Sequence, residues 1–259
     1  MSIAVRPRRV PSAIPVAIAL AWATALVAQT TGRAALLHHD ALIHSGLPFG
    51  VALVVFLVAW QVMVAAMMLP STVPMVRHFT AASSAQENSR ATGFAFLGGY
   101  ALVWTVFGAA AFTFDLGVHR AVDSIPWLGA HQWYVSADML AIAGLFQFSS
   151  LKDRCLDQCR HPAAFLLPRY RRGTAAAFRL GRQHGVFCLG CCWALMLVMF
   201  AAGVANLAWM ALLGTVMAYE KVAARGERVV PVVGVTLLTW AALVAAHPAW
   251  LPHALAGVH

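Results

Sequence analysis

The chain has 259 residues, of which 61% are hydrophobic and only 10% are charged, and its mean hydropathy is +0.74. Soluble domains carry roughly 25% charged residues, so this chain has too few charges to cover a surface that faces water. Its formal net charge of +9 does not indicate nucleic-acid binding, because the basic residues lie in short connections between apolar runs rather than in a stripe with aromatic residues.

Seven apolar segments approach the roughly 20 residues that a membrane-spanning helix needs. In chain order they are Pro11–Ala28, Leu47–Leu69, Gly93–Phe114, Trp133–Leu151, Gly185–Ala202, Asn206–Tyr219 and Val229–Ala246. We expect the first to be a retained anchor rather than a cleaved signal peptide, because its apolar run is long for a signal sequence. The fifth and sixth predict a tight helical hairpin, or one helix with a re-entrant piece. The sequence therefore predicts an all-α, polytopic helical membrane bundle with about seven transmembrane helices.

The basic residues indicate the orientation of this bundle. Sixteen of the 18 Lys and Arg residues fall on one side of the predicted spans, and only Arg33 and Arg120 fall on the other. Because short cytoplasmic loops are enriched in Lys and Arg, we expect the N-terminus inside and the C-terminus outside a bacterial inner membrane. The predicted regions are a cytoplasmic tail (1–10), a transmembrane domain (11–246) with a Cys- and Arg-rich cytoplasmic loop (152–184), and an extracytoplasmic tail (247–259).

All five cysteines fall at the predicted cytoplasmic face: Cys155, Cys159, Cys188, Cys191 and Cys192. The cytosol keeps thiols reduced, which leaves metal ligation, redox chemistry or inert packing. Cys155 and Cys159, like Cys188 and Cys192, are four residues apart and share a helix face. If the fifth helix begins near Gly185, its macrodipole also favours the thiolate form of Cys188. A closed zinc tetrahedron is an alternative that the four cysteines other than Cys192 could supply.

Other potential ligands extend the same stripe. His184 lies one turn before Cys188 and could add a nitrogen ligand, and Met196 and Met199 continue the sulfur-bearing face into the bilayer. Thiolate and thioether ligands suit Cu(I) best among the common cytosolic metals. Taken individually, each of these methionines is explained better by ordinary core packing than by ligation, as are Met63 and Met67 on the second span.

The opposite face carries a second and weaker set of metal-binding candidates: His38, His39, Asp40, His44, His119, Asp123, His131, His247, His253 and His259. Such residues could bind a metal outside the membrane, although histidines are common in loops. Asp138 lies inside a predicted span and is a functional candidate, or a hydrogen-bonding partner of another intramembrane polar residue. Glu220, next to Lys221, is interpreted as an anchor at the membrane edge.

Two cysteine-rich blocks make the chain resemble a known family. They are Leu151-Lys-Asp-Arg-Cys-Leu-Asp-Gln-Cys-Arg-His-Pro162 and Gly181-Arg-Gln-His-Gly-Val-Phe-Cys-Leu-Gly-Cys-Cys-Trp-Ala-Leu-Met196, followed by Glu220-Lys221. Together with Met67-Met-Leu-Pro70 and Gly144-Leu-Phe-Gln147, they resemble the bacterial family of predicted metal-binding integral membrane proteins (domain of unknown function 2182). The resemblance covers roughly residues 50–240, and it implies a metal site at these cysteines and His184.

The preferred hypothesis is a membrane protein that binds a soft metal, Cu(I) first and zinc second, and delivers or transports it with a metal-carrier protein as a candidate partner. No hydrolase motif is present, so we expect a binding protein rather than an enzyme. One alternative is a membrane thiol-disulfide oxidoreductase in which Cys188 and Cys191 cycle while Cys155 or Cys159 resolves the disulfide. Another is a non-catalytic assembly subunit with a structural zinc site.

Overall fold

The structure is a computed structural model that describes residues 11–33, 39–43, 45–202 and 206–246. These residues are helical almost throughout, and none of them forms a strand. The helices are α1 (Ala13–Thr30), α2 (His39–Ile43), α3 (Phe49–Ser83), α4 (Ser89–Ser124), α5 (Pro126–Ala130), α6 (Trp133–Phe146), α7 (Ser150–Arg160), α8 (Pro162–Arg169), α9 (Thr174–Ala202), α10 (Leu207–Val222) and α11 (Val229–Ala246). The all-α prediction is confirmed.

Several of these helices fit a multi-pass membrane protein. Within the described ranges, α1, α3, α4, α9 and α11 are long and apolar enough to cross a bilayer. The pair α6 and α7, bent by 64° at a short break, makes a sixth candidate if the two helices count as one span. Helix α10 has 16 residues, which is shorter than the roughly 20 needed for a full span. The structure thus contains five or six candidate spans, against the seven that the sequence predicts.

The longest helices extend well beyond the thickness of a membrane. Helices α3 and α4 have 35 and 36 residues, which corresponds to about 53 Å against a hydrocarbon layer of about 30 Å. A second apolar core, separate from the main one, joins α3, α4, α8 and α9 through residues such as Met75, Phe79, Phe96 and Phe165. The segment 152–184, predicted as a loop, is therefore an ordered helical region with a core of its own.

Helix α9 begins at Thr174, eleven residues before the start that the sequence suggests at Gly185. Cys188 therefore lies about 21 Å along the helix axis and not in its first turn. Because the effect of the macrodipole is confined to the terminal turns, the prediction that it favours the Cys188 thiolate was wrong. The field at this cysteine has to come from side chains.

Helices α4 and α9 cross so closely that two glycines are required at the contact. A Cβ atom at Gly99 would collide with the backbone of Phe178, and a Cβ atom at Gly181 would collide with the backbone of Phe96. Small residues at such a crossing let two membrane helices approach to backbone contact. This approach brings Tyr100, the residue after Gly99, against the cysteines of α9.

Helix α3 continues through Pro70 but loses one backbone hydrogen bond there, because Pro70 has no N–H to donate to the carbonyl of Ala66. The indole N–H of Trp22 in α1 donates to this carbonyl instead, at 3.2 Å. Two residues past the proline, the Thr72 hydroxyl donates to the Met68 carbonyl at 2.9 Å. These bonds hold the segment around Met68 in place where the helix ladder is weakest.

Candidate metal centre

The two cysteine blocks meet in space, as the sequence predicts. Helix α7 packs along α9, and the Cys191 thiol donates to the Cys159 sulfur at 3.9 Å. Cys155 lies against Gly190, where any side chain would displace its sulfur. Cys159 is partly exposed, so it is the thiol of this group that a molecule at the surface can reach first.

A second group of sulfur atoms lies beside the first, deeper in the bundle. Cys188 and Cys192 are each 1% exposed, and the Met68 side chain of α3 is fully buried. The Cys192 thiol lies 3.7 Å from the Met68 thioether sulfur. Hereafter Met68, Cys188 and Cys192 are called the thiol–thioether pocket. It brings together sulfur donors from α3 and α9, 124 residues apart in the chain.

A lysine from α10 enters this pocket. The Lys221 ammonium lies 3.2 Å from the Cys188 sulfur, 3.5 Å from the Cys192 sulfur and 3.7 Å from the Met68 sulfur. Lys221 is only 5% exposed. The ammonium therefore lies among the three sulfur atoms and supplies a positive charge that favours the thiolate form of both cysteines.

A hydroxyl chain reaches the same sulfur from the other side. The Tyr100 phenol oxygen lies 3.2 Å from the Cys188 sulfur, and the Thr72 hydroxyl lies 3.3 Å from the phenol oxygen. A phenol O–H donates well to an anionic sulfur. Tyr100 can thus stabilise a thiolate at Cys188 together with Lys221.

His184 is buried, at 3% exposed, one turn before Cys188. Its ring stacks on those of Phe96 and Tyr100 and meets the Phe165 ring edge-on. Neither ring nitrogen has a hydrogen-bond partner among the described residues. Burying an imidazole in this way costs free energy, because at least one N–H is left unbonded. The side chain is thus next to the pocket with an unused donor and acceptor, and its role as a ligand stays a prediction.

The methionines assigned to the stripe on α9 are buried, but the sulfur contact comes from elsewhere. Met196 and Met199 are both 0% exposed. No hydrogen bond in the described part of the chain joins either of them to a cysteine, whereas Met68 has such a contact. Met63 and Met67 share a face of α3 and were the pair singled out from the sequence, with Met68 only named beside them in the Met-Met-Leu-Pro run. That run was the available signal, since Pro70 marks a weakened turn next to Met68.

A buried ion pair lies directly beside the pocket. The Lys152 ammonium donates to Glu220 Oε2 at 2.7 Å and also to Gln147 Oε1. Lys152 is 0% exposed and Glu220 is 1% exposed. Glu220 was interpreted as an anchor at the membrane edge and Lys152 as a loop charge, and both interpretations were wrong because the break between α6 and α7 turns Lys152 inward. The pair ties α7, which carries two cysteines, to α10, which carries Lys221.

The candidates predicted for the opposite face are only partly described. His119 is buried beside Asp115, with its Nδ1 atom 3.7 Å from Asp115 Oδ2. His131 stacks on Trp127, and Asp138 is exposed on the surface of α6. His38, His44, His247, His253 and His259, and the side chains of His39 and Asp40, lie outside the described residues.

The donor chemistry distinguishes between the metals that the sequence left open. Among the described side chains, no group of three or more His, Cys, Asp or Glu is arranged to hold a metal ion. The four-cysteine zinc tetrahedron is thus not assembled there. The thiol–thioether pocket differs in kind, because its third donor is a methionine. Two thiols and a thioether form a soft donor set, which suits Cu(I) and suits zinc poorly.

The chain was compared with known proteins. No curated protein and no solved structure matches it. Residues 57–244 match the family model of PpoB2, a copper chaperone, and this range contains the five cysteines, Met68 and Lys221. The match covers most of the chain and connects it with copper handling. The protein belongs to the PpoB2 copper chaperone family.

Proposed function

We propose that this protein binds Cu(I) as cargo in the thiol–thioether pocket of Met68, Cys188 and Cys192 and delivers it from there. The observation that carries the proposal is the 3.7 Å contact between the Cys192 and Met68 sulfurs, beside a second thiol at Cys188 that shares the same lysine. Methionine is rarely a zinc ligand, whereas thiolate with thioether selects Cu(I). The family's description as a copper chaperone supports the same metal.

The proposal includes a membrane setting. We infer seven spans in a bacterial cytoplasmic membrane, with α6–α7 and the short α10 added to the five long apolar helices. The excess of Lys and Arg on one side supports an N-terminus inside and a C-terminus outside. In this orientation the cysteines lie at the cytoplasmic face, where reduced thiols and Cu(I) both persist.

A route for the metal follows from the exposure of the thiols. Cys159 is partly exposed and its sulfur contacts that of Cys191, which lies one helical turn from Cys188. Cu(I) arriving on a carrier protein would bind Cys159 and Cys191 first and then pass to the pocket by exchange of sulfur ligands. Cys155 and His184 flank this route, and Met196 and Met199 continue it along α9 towards the opposite face.

The experiment compares two double variants of the full-length protein. Wild type, Cys188→Ser/Cys192→Ser and Cys155→Ser/Cys159→Ser are purified in detergent under reducing conditions, loaded anaerobically with Cu(I) and analysed by elemental mass spectrometry. The pocket variant should lose most of its copper, because both anionic ligands of the pocket are gone and the remaining Cys159–Cys191 pair holds the ion only in transit. The second variant removes the same number of thiols outside the pocket, and it should keep its copper while loading more slowly.

Two results would contradict the proposal. Copper that persists in Cys188→Ser/Cys192→Ser would place the metal elsewhere. A wild-type protein that binds no copper but forms a disulfide between Cys159 and Cys191 on mild oxidation would favour the thiol-disulfide oxidoreductase.

A further inference from the structure

Lys221 brings a positive charge into the thiol–thioether pocket, and the proposed function gives that charge no role. Its ammonium is surrounded by three sulfur atoms, at 3.2, 3.5 and 3.7 Å. Within the described part of the chain, no carboxylate forms an ion pair with it. The adjacent Glu220 pairs with Lys152 instead, at 2.7 Å.

A buried ammonium without a carboxylate is costly unless another anion is nearby. The nearest groups that can become anionic are the thiols of Cys188 and Cys192. The ammonium of Lys221 thus contributes one positive charge at hydrogen-bonding distance from both thiols, and the charge of the whole site depends on what else the pocket binds.

The charge of the loaded pocket then depends on the valence of the metal. Two thiols that lose their protons to solvent on binding carry two negative charges, and the Met68 thioether carries none. With the ammonium of Lys221, the protein contributes a net charge of minus one. A monovalent ion brings the buried site to neutrality, whereas a divalent ion leaves one uncompensated positive charge in a medium where such charges are unfavourable.

We propose that Lys221 makes the pocket selective for monovalent soft ions over divalent ones, by balancing the charge of the two thiolates. This inference rests on the proposed function, because it takes the thiol–thioether pocket as the copper site. It assigns to Lys221 a role in specificity and not in ligation. The identity of the donors favours soft metals, and the lysine adds discrimination among soft metals by charge.

The geometry allows the ammonium and a metal ion to share the site. Metal–thiolate bonds are about 2.3 Å long, so an ion bound by the sulfurs lies closer to them than the ammonium does at 3.2 to 3.7 Å. The lysine stem has four rotatable carbons, and it can withdraw slightly while its N–H groups continue to donate to the thiolates. The positive charge then stays in the layer next to the metal.

The first test uses the wild-type protein and needs no variant. Ag(I) and Cd(II) are both soft, but they differ in charge, and each is titrated into the reduced full-length protein in detergent. We expect Ag(I) to displace Cu(I) from the protein and Cd(II) at the same free concentration to fail. Cd(II) that competes as well as Ag(I) would overturn the inference.

The second test compares Lys221→Met with Lys221→Arg. The methionine removes the charge at nearly the same length, and the arginine keeps the charge. In Lys221→Met the ratio of Cu(I) affinity to Zn(II) affinity should fall by about 100-fold or more, since a nearby charge is strongly felt in a buried site. Lys221→Arg should retain most of the wild-type ratio.

The outcomes separate this inference from the proposed function. If Lys221→Met binds Cu(I) with an unchanged ratio, or if Lys221→Arg shifts it equally, the charge-balance role is refuted and the copper site remains. If the wild type binds no Cu(I), the proposed function itself fails. Where Lys221→Met does not yield folded protein, Lys221→Gln removes the same charge and keeps a polar end, and its Ag(I) to Cd(II) ratio is compared with that of the wild type.

Discussion

Replacement of Met68 by leucine removes one sulfur atom from the proposed copper site with little change in shape. The side chain is fully buried, and exchange of methionine for leucine in a packed core usually costs less than about 1.5 kcal/mol of folding stability. What is lost is the thioether that lies 3.7 Å from the Cys192 sulfur. The two thiolates remain, so copper should still bind, but less tightly.

We expect Met68→Leu to lower the Cu(I) affinity by about 10- to 100-fold, the range typical of changes to groups that support a metal site. This corresponds to about 1.4 to 2.7 kcal/mol of binding free energy. Affinity is measured by anaerobic competition with a chromophoric Cu(I) chelator, using protein shown to be folded by its thermal unfolding curve.

Met196→Leu is the matched control, since Met196 is equally buried and lies on the cysteine-bearing helix. It should change the affinity less than Met68→Leu, because no described hydrogen bond joins it to a cysteine. Equal losses in the two variants would point to a general packing effect, and an unchanged affinity in Met68→Leu would refute the assignment of the thioether as a ligand.

Three further predictions follow from the contacts around the pocket. Lys152→Met leaves the Glu220 carboxylate buried without its partner at 2.7 Å and should destabilise the fold by about 3 to 5 kcal/mol. The loss is measured as a lower unfolding temperature, which Glu220→Gln in the same chain should partly restore. Gly181→Ala adds a Cβ atom where the α4 backbone already lies and should cost about 1 to 3 kcal/mol in the same assay, so an unchanged unfolding temperature would show that the helices cross less closely. Tyr100→Phe removes the O–H that lies 3.2 Å from the Cys188 sulfur. The alkylation of Cys188 by a membrane-permeant thiol reagent should become slower, because the thiolate loses a hydrogen-bond donor. Equal alkylation rates in the variant and the wild type would contradict this contact.

Hydrophobic runs predicted the long apolar helices α1, α3, α4, α9 and α11, because each spanning segment is encoded locally by about twenty apolar residues. They did not predict where the helices continue past the membrane. The stretch 173–185 alternates small apolar residues with Arg179 and Arg182, which is consistent with a separate amphipathic helix on the membrane surface or a plain loop, yet from Thr174 it forms the first turns of α9. Its helical state is stabilised by the second apolar core, which includes Phe165 and Leu180.

The candidate site was predictable in part. The spacing placed Cys155 with Cys159, and Cys188 with Cys192, on one face of their own helices at the same predicted membrane side, and the structure brings the two blocks together. The sequence could not decide which buried methionine of α3 contacts a cysteine, since Cys192 is 124 residues away from Met68 and only the packing of α3 in the bundle brings the two sulfurs together.

The position of Lys221 was hidden for a related reason. A Glu-Lys pair at the end of an apolar helix is typical of a membrane-edge anchor, and the sequence does not show whether either side chain faces the bundle. Here both are buried and each takes a different partner, Lys152 for the glutamate and the cysteines for the lysine. Charges buried in this way are found only by long-range structure, and they are the features on which the proposed selectivity depends.

The most direct measurement is X-ray absorption at the copper K-edge of the reduced full-length protein loaded with one equivalent of Cu(I). The account predicts an edge typical of Cu(I) and a coordination shell of sulfur alone, with about three sulfur scatterers in the wild type and about two in Met68→Leu. A shell containing nitrogen or oxygen, or a shell that is the same in the two proteins, would contradict a copper site built from Cys188, Cys192 and Met68.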